Sequence, residues 1–232
     1  MEERVEAQPL LTPGATPSWS MLRALGGIAT ISGLLVVLVY QTTLPIITEN
    51  QRVRTERAVF QVIPGAVSKR DLVLTDRGLS PVGEGAQGEA VYAAYDAAGK
   101  LKGVAFPGAA QGYSDVIRFL FGYDPACECI VGSRVLKSTE TPGLGDKIEK
   151  DPVFLANFEA LDAKLKADGS GLANPIETVK HGTKTEPWQI DAISGATISS
   201  NATGRALNQA AERLVPAVQR SLDLLQAPDT QD

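Results

Sequence analysis

Histidine, cysteine, methionine and tryptophan are scarce in this sequence of 232 residues, which contains one histidine and two residues of each other type. His181 has no potential ligand at a zinc-like spacing, and Cys127 and Cys129 do not supply the about four ligands of a zinc or iron–sulfur site. Cysteines separated by one residue rarely form a good disulfide, so we interpret both as structural. A serine nucleophile elbow and a carboxylate pair of obvious geometry are also missing. We therefore predict neither a metal site nor an independent catalytic site.

Basic residues and nucleotide-binding loops are also in short supply. The 22 lysine and arginine residues are outnumbered by 27 aspartate and glutamate residues, which gives a formal net charge of −5. Because proteins that bind nucleic acid usually present a basic face, nucleic acid is not an expected partner. No glycine-rich loop follows a predicted strand, so the binding of free NAD is not indicated either.

One long uncharged run lies near the N-terminus, between Arg23 and Glu49. This length is enough for a helix to cross a hydrocarbon layer of about 30 Å. We predict a transmembrane helix over residues 21–47, preceded by a disordered tail over residues 1–20. The alternatives are a cleaved signal peptide, disfavoured by the late start and the missing cleavage site, and a buried helix of a soluble domain, disfavoured by the length.

The charges that flank this run bear on its orientation. Arg4 and Arg23 precede the run, whereas Arg52, Arg54 and Arg57 follow it closely. A positive-inside count therefore places the domain that follows in the cytoplasm, although long domains can translocate despite flanking charge.

The rest of the chain predicts an α+β fold with one antiparallel sheet and flanking helices. We predict a stalk helix followed by loops over residues 48–88, then one domain over residues 89–225 and a loose tail over residues 226–232. Short apolar runs bounded by turn residues predict the strands of a meander. These runs cover residues 90–95, 101–106, 115–123 and 129–136.

Two helices are predicted in the C-terminal half. Asp151 and Pro152 are typical of a helix start, and the apolar residues that follow at helical spacing predict a buried face. The last helix is predicted over residues 201–225, with a kink or an end at Pro216. The buried face of the first of these helices comprises Phe154, Phe158, Leu161 and Leu165.

The segment over residues 191–197 reads Asp-Ala-Ile-Ser-Gly-Ala-Thr and comes just before the last predicted helix. Gly195 permits backbone angles that other residues avoid, and Ala196 adds little bulk. The segment thus predicts a tight turn that presents the Thr197 hydroxyl near a helix N-terminus, where a phosphate is favoured. The alternative is an ordinary loop with Ser199 or Ser200 as the helix cap.

A second segment, over residues 140–145, reads Glu-Thr-Pro-Gly-Leu-Gly. Pro142 fixes one backbone angle, while Gly143 and Gly145 relax others. Such a loop can bring backbone N–H groups close to a flat ring, and its alternative is a plain surface turn.

Together, these two segments resemble motifs of the FMN-binding domain family. The family is found in the G subunit of the Rnf electron transport complex and in the C subunit of the Na⁺-translocating NADH:quinone reductase. The resemblance extends from about residue 20 to residue 215 and implies that Thr197 carries FMN through a phosphoester bond, installed by a flavin transferase. It further implies that Asp191 belongs to the transferase recognition motif, with the turn shaped by Ser194, Gly195 and Ala196, and that the isoalloxazine site is lined by Glu140, Thr141, Gly143 and Leu144.

The resemblance also implies a function and a location. The protein would relay electrons through covalent FMN as a component of an Rnf-type translocase, which couples electron transfer between ferredoxin and NAD to ion movement. Its partners would be the other membrane and iron–sulfur subunits, the flavin transferase and membrane lipid. The domain would lie outside the bacterial cytoplasmic membrane, contrary to the charge count. The alternatives are the C subunit of the quinone reductase and an anchored binding or sensory domain without flavin.

Overall fold

The computed structural model describes residues 18–75, 78–82 and 88–226. The predicted tails over residues 1–20 and 226–232 lie almost entirely outside these described residues. The chain divides into two compact units, Met1–Gln51 and Arg52–Asp232.

Helix α1 (Ser18–Val62) supplies the described part of the first unit and is long and apolar enough to cross a membrane. Within the first unit its apolar side chains are exposed, as in Val36 at 69%, whereas the core helix of a soluble protein would bury them. The hydroxyls of Thr30 and Thr48 donate to carbonyls one turn earlier, which satisfies these polar groups within the helix. The helix is uninterrupted at Pro45. It is consistent with a membrane anchor or a signal sequence, and the helix predicted near residues 48–60 forms its C-terminal part.

The second unit is built on β-strands. They are β1 (Ser68–Thr75), β2 (Gly78–Pro81), β3 (Glu89–Tyr95), β4 (Leu101–Gln111), β5 (Val116–Asp124), β6 (Cys129–Lys137), β7 (Leu161–Asp162), β8 (Glu177–Val179) and β9 (Gln189–Asp191). The first seven form one antiparallel sheet in the order β2-β1-β3-β4-β5-β6-β7. The predicted meander is confirmed, because its four runs become β3, β4, β5 and β6. Strands β8 and β9 form a separate parallel pair that precedes the last long helix.

The prediction of loops over residues 64–88 was wrong for β1 and β2. Only Leu72 and Val73 of β1 are buried, so the polar remainder of the strand conceals its apolar pattern. Pairing with β3 along the length of β1 organises this segment, and such a tertiary effect overrides local composition.

The helices of the second unit also differ from their predicted bounds. They are α2 (Pro152–Leu155), α3 (Thr197–Arg220) and α4 (Leu222–Gln226), with 3₁₀ turns at Gly145–Glu149 and Ala156–Phe158. Asp151 caps α2 as predicted, because its side chain accepts hydrogen bonds from two amides of the first turn. The single long helical face was wrong, since Leu161 lies in β7 and pairs with Ile130. Phe154, Phe158 and Leu161 are nevertheless buried core residues.

Helix α3 begins at Thr197, earlier than predicted, and continues past Pro216. It packs along one face of the sheet, where its alanines allow a close approach to β4. At Gly108 an added Cβ would lie 3.0 Å from the Ala206 carbonyl oxygen. The aromatic side chains of Phe106 and Phe121 fill the core beneath the helix, with ring centroids 5.9 Å apart.

The C-terminal part of α1 belongs to the second unit and covers the opposite face of the sheet. Val59, Val62 and Ile63 are buried there against Leu120 and neighbouring alanines. The sheet is therefore buried on both faces, which leaves its two ends and its loops to form a site.

The two cysteines form a disulfide at the turn between β5 and β6, which corrects the prediction that they would not bridge well. Glu128 between them adopts a φ of +52°, an unusual left-handed conformation for a residue other than glycine. This conformation brings the two Cα atoms to 5.2 Å, within the usual range for a disulfide.

Candidate functional site

A cleft of about 490 Å³ lies at the N-terminal end of α3. Its walls come from the β4–β5 loop, the loop that follows β6, and the turn that opens α3. Of the residues proposed from the sequence, the structure brings together Glu140, Thr141, Leu144, Gly195, Ala196 and Thr197; Tyr113, Gly145, Ile198 and Ser199 complete the lining.

The start of α3 is open on the side of the cleft. Ala196 is the cap residue and makes no side-chain capping hydrogen bond, so the amides of the first helical turn lack a side-chain acceptor. Gly195 has a φ of +82°, which favours glycine and turns the chain into the helix. Thr197 is the first helical residue and is exposed, and among the described residues its hydroxyl has no hydrogen-bond partner.

Neither serine that could have capped α3 does so. The Ser199 hydroxyl donates a short hydrogen bond to Oε2 of Glu140. The Ser200 hydroxyl donates to the Ala196 carbonyl oxygen at 2.9 Å and accepts from the Ile193 amide at 3.1 Å. The Ser199 hydroxyl therefore joins two walls of the cleft, whereas the Ser200 hydroxyl stabilises the turn that opens α3. The helix start remains free for another acceptor.

Glu140 is only 6% exposed and links the three walls. Besides the Ser199 hydroxyl, its carboxylate accepts a hydrogen bond from the Ser114 amide at 2.9 Å. Burial alone would raise the pKa of Glu140, but the hydrogen bonds from Ser199 and from the backbone of the β4–β5 loop hold it below its ordinary value. Glu140 thus remains ionised at neutral pH.

Glycine is required on both sides of this carboxylate. An added Cβ at Gly112 or at Gly145 would lie 2.6 Å from a Glu140 oxygen. Substitution at either position would force the carboxylate to move.

The mouth of the cleft carries exposed apolar surface. Tyr113, Leu144 and Ile198 are 70%, 51% and 50% exposed. Gly143, the next residue before Leu144, has a φ of +78°, and its amide donates to Oδ1 of Asp146 at 2.6 Å. This turn holds Leu144 at the cleft but keeps Gly143 itself out of the lining.

Asp191 and Ser194 lie in a separate cavity of about 270 Å³ that also contains His181. Oδ1 of Asp191 accepts from the Gly182 amide at 2.7 Å, and the Asn157 side chain bonds both the amide and the carbonyl of Asp191. These contacts fix the start of the turn at residues 191–197 from the side away from the cleft. Burial lowers the pKa of nearby Lys184, while Asp191 opposes this shift.

Sequence reasoning missed the contributions of Tyr113, Ile198 and Ser199 to the cleft. Tyr113 and its loop are far from both motifs in sequence, and only the fold brings them together. A signal for Ser199 was present, because it occurs two residues after Thr197, but it was considered only as a possible helix cap in the alternative interpretation. Trp188, the aromatic residue that precedes the segment over residues 191–197, does not line the cleft.

Comparison with known proteins assigns the chain to a family. The FMN-binding domain family matches residues 112–212, a range that contains every residue of the cleft lining. The G subunit of the ion-translocating oxidoreductase complex of Cereibacter sphaeroides is 36% identical over 180 residues, which cover 77% of this chain and 75% of that protein. The corresponding protein of Pseudomonas aeruginosa is 33% identical over 200 residues, which cover 82% and 87%. The chain belongs to the family of G subunits of ion-translocating oxidoreductase complexes.

Solved structures agree with this assignment at the level of the fold. NqrC of Shewanella oneidensis superposes with a TM-score of 0.55 at 21% identity, over 78% of this chain and all of that one. The C subunit of the Na⁺-translocating NADH-quinone reductase from Parabacteroides distasonis gives the same TM-score at 18% identity, over 78% and 97%. This chain and these structures thus share an α+β fold.

Proposed function

We propose that this member of the G-subunit family binds FMN covalently through the Thr197 hydroxyl and relays electrons within an Rnf-type complex. The observation that carries the proposal is the placement of Thr197: an exposed hydroxyl without a partner among the described residues, at the uncapped start of a 24-residue helix. The helix N-terminus favours a phosphate there through its free amides and its dipole. The Thr197 side chain is also within the cleft, so an attached nucleotide could enter it.

The dimensions and lining of the cleft support FMN as the group. A volume of about 490 Å³ lies within the range of small-molecule sites, about 300–1,000 Å³. Leu144, Ile198 and Tyr113 offer apolar surface to a flat ring, while Thr141 and the loop amides offer hydrogen bonds. Gly195 and Ala196 keep the turn small beside the phosphate, and Ser194 and Gly143 shape the two loops from outside the cleft.

Bound FMN supplies the one-electron chemistry that the side chains of this protein lack. The task of the chain is then to hold the phosphate at Thr197, to orient the ring and to limit its contact with water. Among the described residues, the cleft offers no group for acid–base catalysis beyond Glu140, which is already hydrogen bonded by Ser199 and Ser114. The protein therefore acts as an electron-carrying component of a translocase.

We further propose that α1 anchors the protein in the bacterial cytoplasmic membrane and that the domain lies on the outer side. The Cys127–Cys129 disulfide supports this orientation, because such bonds persist in oxidising compartments. The electron-transfer partners would be the other membrane and iron–sulfur subunits of the complex. A flavin transferase would install FMN, with Asp191 as part of the motif that it recognises.

The attachment is tested by co-expressing the full chain with its flavin transferase, isolating membranes and recording flavin fluorescence in a denaturing gel. We expect a fluorescent band for the wild type and complete loss of that band for Thr197→Ala, because the acceptor oxygen is gone. Thr183→Ala removes an exposed hydroxyl outside the cleft and should retain the band.

Other outcomes would discriminate the alternatives. A fluorescent band in both the wild type and Thr197→Ala would support covalent flavin but refute Thr197 as its attachment site. A wild-type protein without covalent flavin would refute the redox function and favour an anchored binding domain.

A further inference from the structure

The cleft contains a buried negative charge without a cationic partner. Glu140 is 6% exposed and lines the cleft, yet among the described residues no lysine, arginine or histidine forms an ion pair with it. Its hydrogen-bond donors are neutral, namely the Ser199 hydroxyl and backbone amides. The hydrogen bonds stabilise the carboxylate without cancelling its charge.

This carboxylate is also held in place. The Cα atoms of Gly112 and Gly145 approach it so closely that an added Cβ at either would lie 2.6 Å from a carboxylate oxygen. Side chains of ordinary size would leave no room for Glu140 in this position. The two glycines therefore leave room for the carboxylate at the wall of the cleft, and the hydrogen bonds from Ser199 and Ser114 hold it there.

We propose that the fixed negative charge of Glu140 lowers the midpoint potential of the FMN bound in the cleft. This inference rests on the proposed function, because it concerns the same cofactor. When a one-electron donor reduces the ring, the donor loses one electron and the ring gains one negative charge, unless a proton from water follows. Repulsion by a nearby carboxylate disfavours that gain, and the repulsion is strong where water is excluded.

Among the residues that the structure describes, no basic side chain forms an ion pair with Glu140. On the β4–β5 loop the titratable neighbours are Tyr113 and Asp115, and Asp115 is exposed. On the loop after β6, Asp146 is bonded to Lys150, and Lys147 follows it. The first turn of α3 contains no acidic residue and contributes only the positive end of its helix dipole. Because the pKa of Glu140 is lowered, the carboxylate stays charged throughout the neutral range.

The test uses the full flavinylated chain, purified in detergent, and measures the midpoint potential by spectroelectrochemistry with dye mediators. We expect Glu140→Gln to raise the potential, with a change of roughly tenfold in the reduction equilibrium, which corresponds to about 59 mV for one electron. Asp115→Asn is the matched control: it removes the same charge from an exposed side chain of the β4–β5 loop that does not line the cleft, and its shift should be much smaller.

Ser199→Ala provides a second variant that keeps the carboxylate. Loss of the hydroxyl donor should raise the pKa of Glu140. As the pH is lowered, Glu140 should therefore become protonated at a higher pH in Ser199→Ala than in the wild type. The midpoint potential should rise towards that of Glu140→Gln at this higher pH. A purely structural role for Glu140 would not produce this shift of the pH profile.

Each outcome has a definite meaning. Equal potentials for wild type and Glu140→Gln would overturn this inference while leaving the covalent FMN intact. If Glu140→Gln fails to fold, an unchanged pH profile in Ser199→Ala overturns the inference by itself. A wild type without covalent flavin would overturn the proposed function and, with it, this role of Glu140.

Discussion

At the scale of single residues, Glu140 and Ser199 illustrate how a site is held together by groups that do not themselves carry a cofactor. Their side chains are joined by a short hydrogen bond across 59 residues of sequence. Ser114 adds the third wall through its backbone amide. Removal of one of these partners would leave a buried polar group without its hydrogen bond, which is costly in a low-dielectric interior.

Glu140 should therefore make stability depend on pH in the acidic range. Its pKa is lowered in the folded state from an ordinary value of 4.5, so its contribution is fully present above that value and is lost as the pH falls through the lowered pKa. We expect Glu140→Gln to cost about 1.5–3 kcal/mol at pH 7, typical of a hydrogen bond to a charged group. The cost should shrink as the pH falls below about 4.5.

Thermal unfolding of the full chain in detergent, followed by circular dichroism from pH 7 downwards, measures this difference. Other carboxylates titrate in both proteins and cancel in the comparison. A gap between wild type and variant that stays constant over the whole range would contradict the assignment of an acid-sensitive contact to Glu140.

The sequence could predict which residues carry the chemistry more readily than which residues support them. Thr197 was expected at a helix start, and α3 begins there. Ser199 was considered only as a cap, because its partner, Glu140, comes from a loop whose position depends on the whole sheet. Asp191 and Ser194 are in the same motif as Thr197 yet face another cavity, since a tight turn points successive side chains in different directions.

At the scale of elements, the end of α1 meets the sheet where two glycines are paired across β5 and β6. Gly122 and Gly132 are in register. A Cβ atom added to Gly122 or to Gly132 would lie 2.2 Å or 2.4 Å, respectively, from the Val62 carbonyl oxygen. The absence of these Cβ atoms lets the helix backbone contact the strands directly. The register of the glycines thus fixes where this part of α1 packs.

We expect Gly132→Ala to destabilise the second unit by about 1–3 kcal/mol, because the helix end must move away from the strand. Thermal unfolding of the full chain in detergent gives the change in stability. The neighbouring Ser133→Ala adds no bulk and should have little effect. Equal stabilities of the two variants would show that the helix end is not tightly packed on the sheet.

The central meander could be predicted because each of its strands carries a strong local apolar pattern between turn residues. Strands β1 and β2 could not, since their composition is that of a loop: pairing with β3 orders β1, and β2 in turn pairs with β1. The helix after Asp151 was too long in the prediction for a similar reason: pairing of Leu161 with Ile130 interrupts a helical periodicity. Long-range pairing therefore accounts for both errors.

At the scale of the whole molecule, the charge pattern and the disulfide favour opposite orientations. Arg52, Arg54 and Arg57 favour the cytoplasm for the residues after the apolar run, whereas the disulfide favours an oxidising compartment. We give more weight to the disulfide and to the family, because long domains can cross a membrane regardless of flanking charge.

A fusion of alkaline phosphatase to the C-terminus of the full chain tests this orientation, since the enzyme needs disulfides that form outside the cytoplasm. We expect an active phosphatase, and no fluorescence from a green fluorescent protein fused at the same position. The reverse pair of results would place the domain in the cytoplasm and refute the proposed location.

The order of synthesis limits when the cleft can form, because its three walls come from distant parts of the chain. Synthesis proceeds from the N-terminus, and every strand of the large sheet precedes residue 163, whereas Thr197 and Ser199 come later. A nascent chain can therefore contain the whole sheet and still have no pocket. The cleft that contains Thr197 is complete only after α3 has docked on the sheet. A flavin found on this residue would therefore mark chains whose synthesis had passed residue 197.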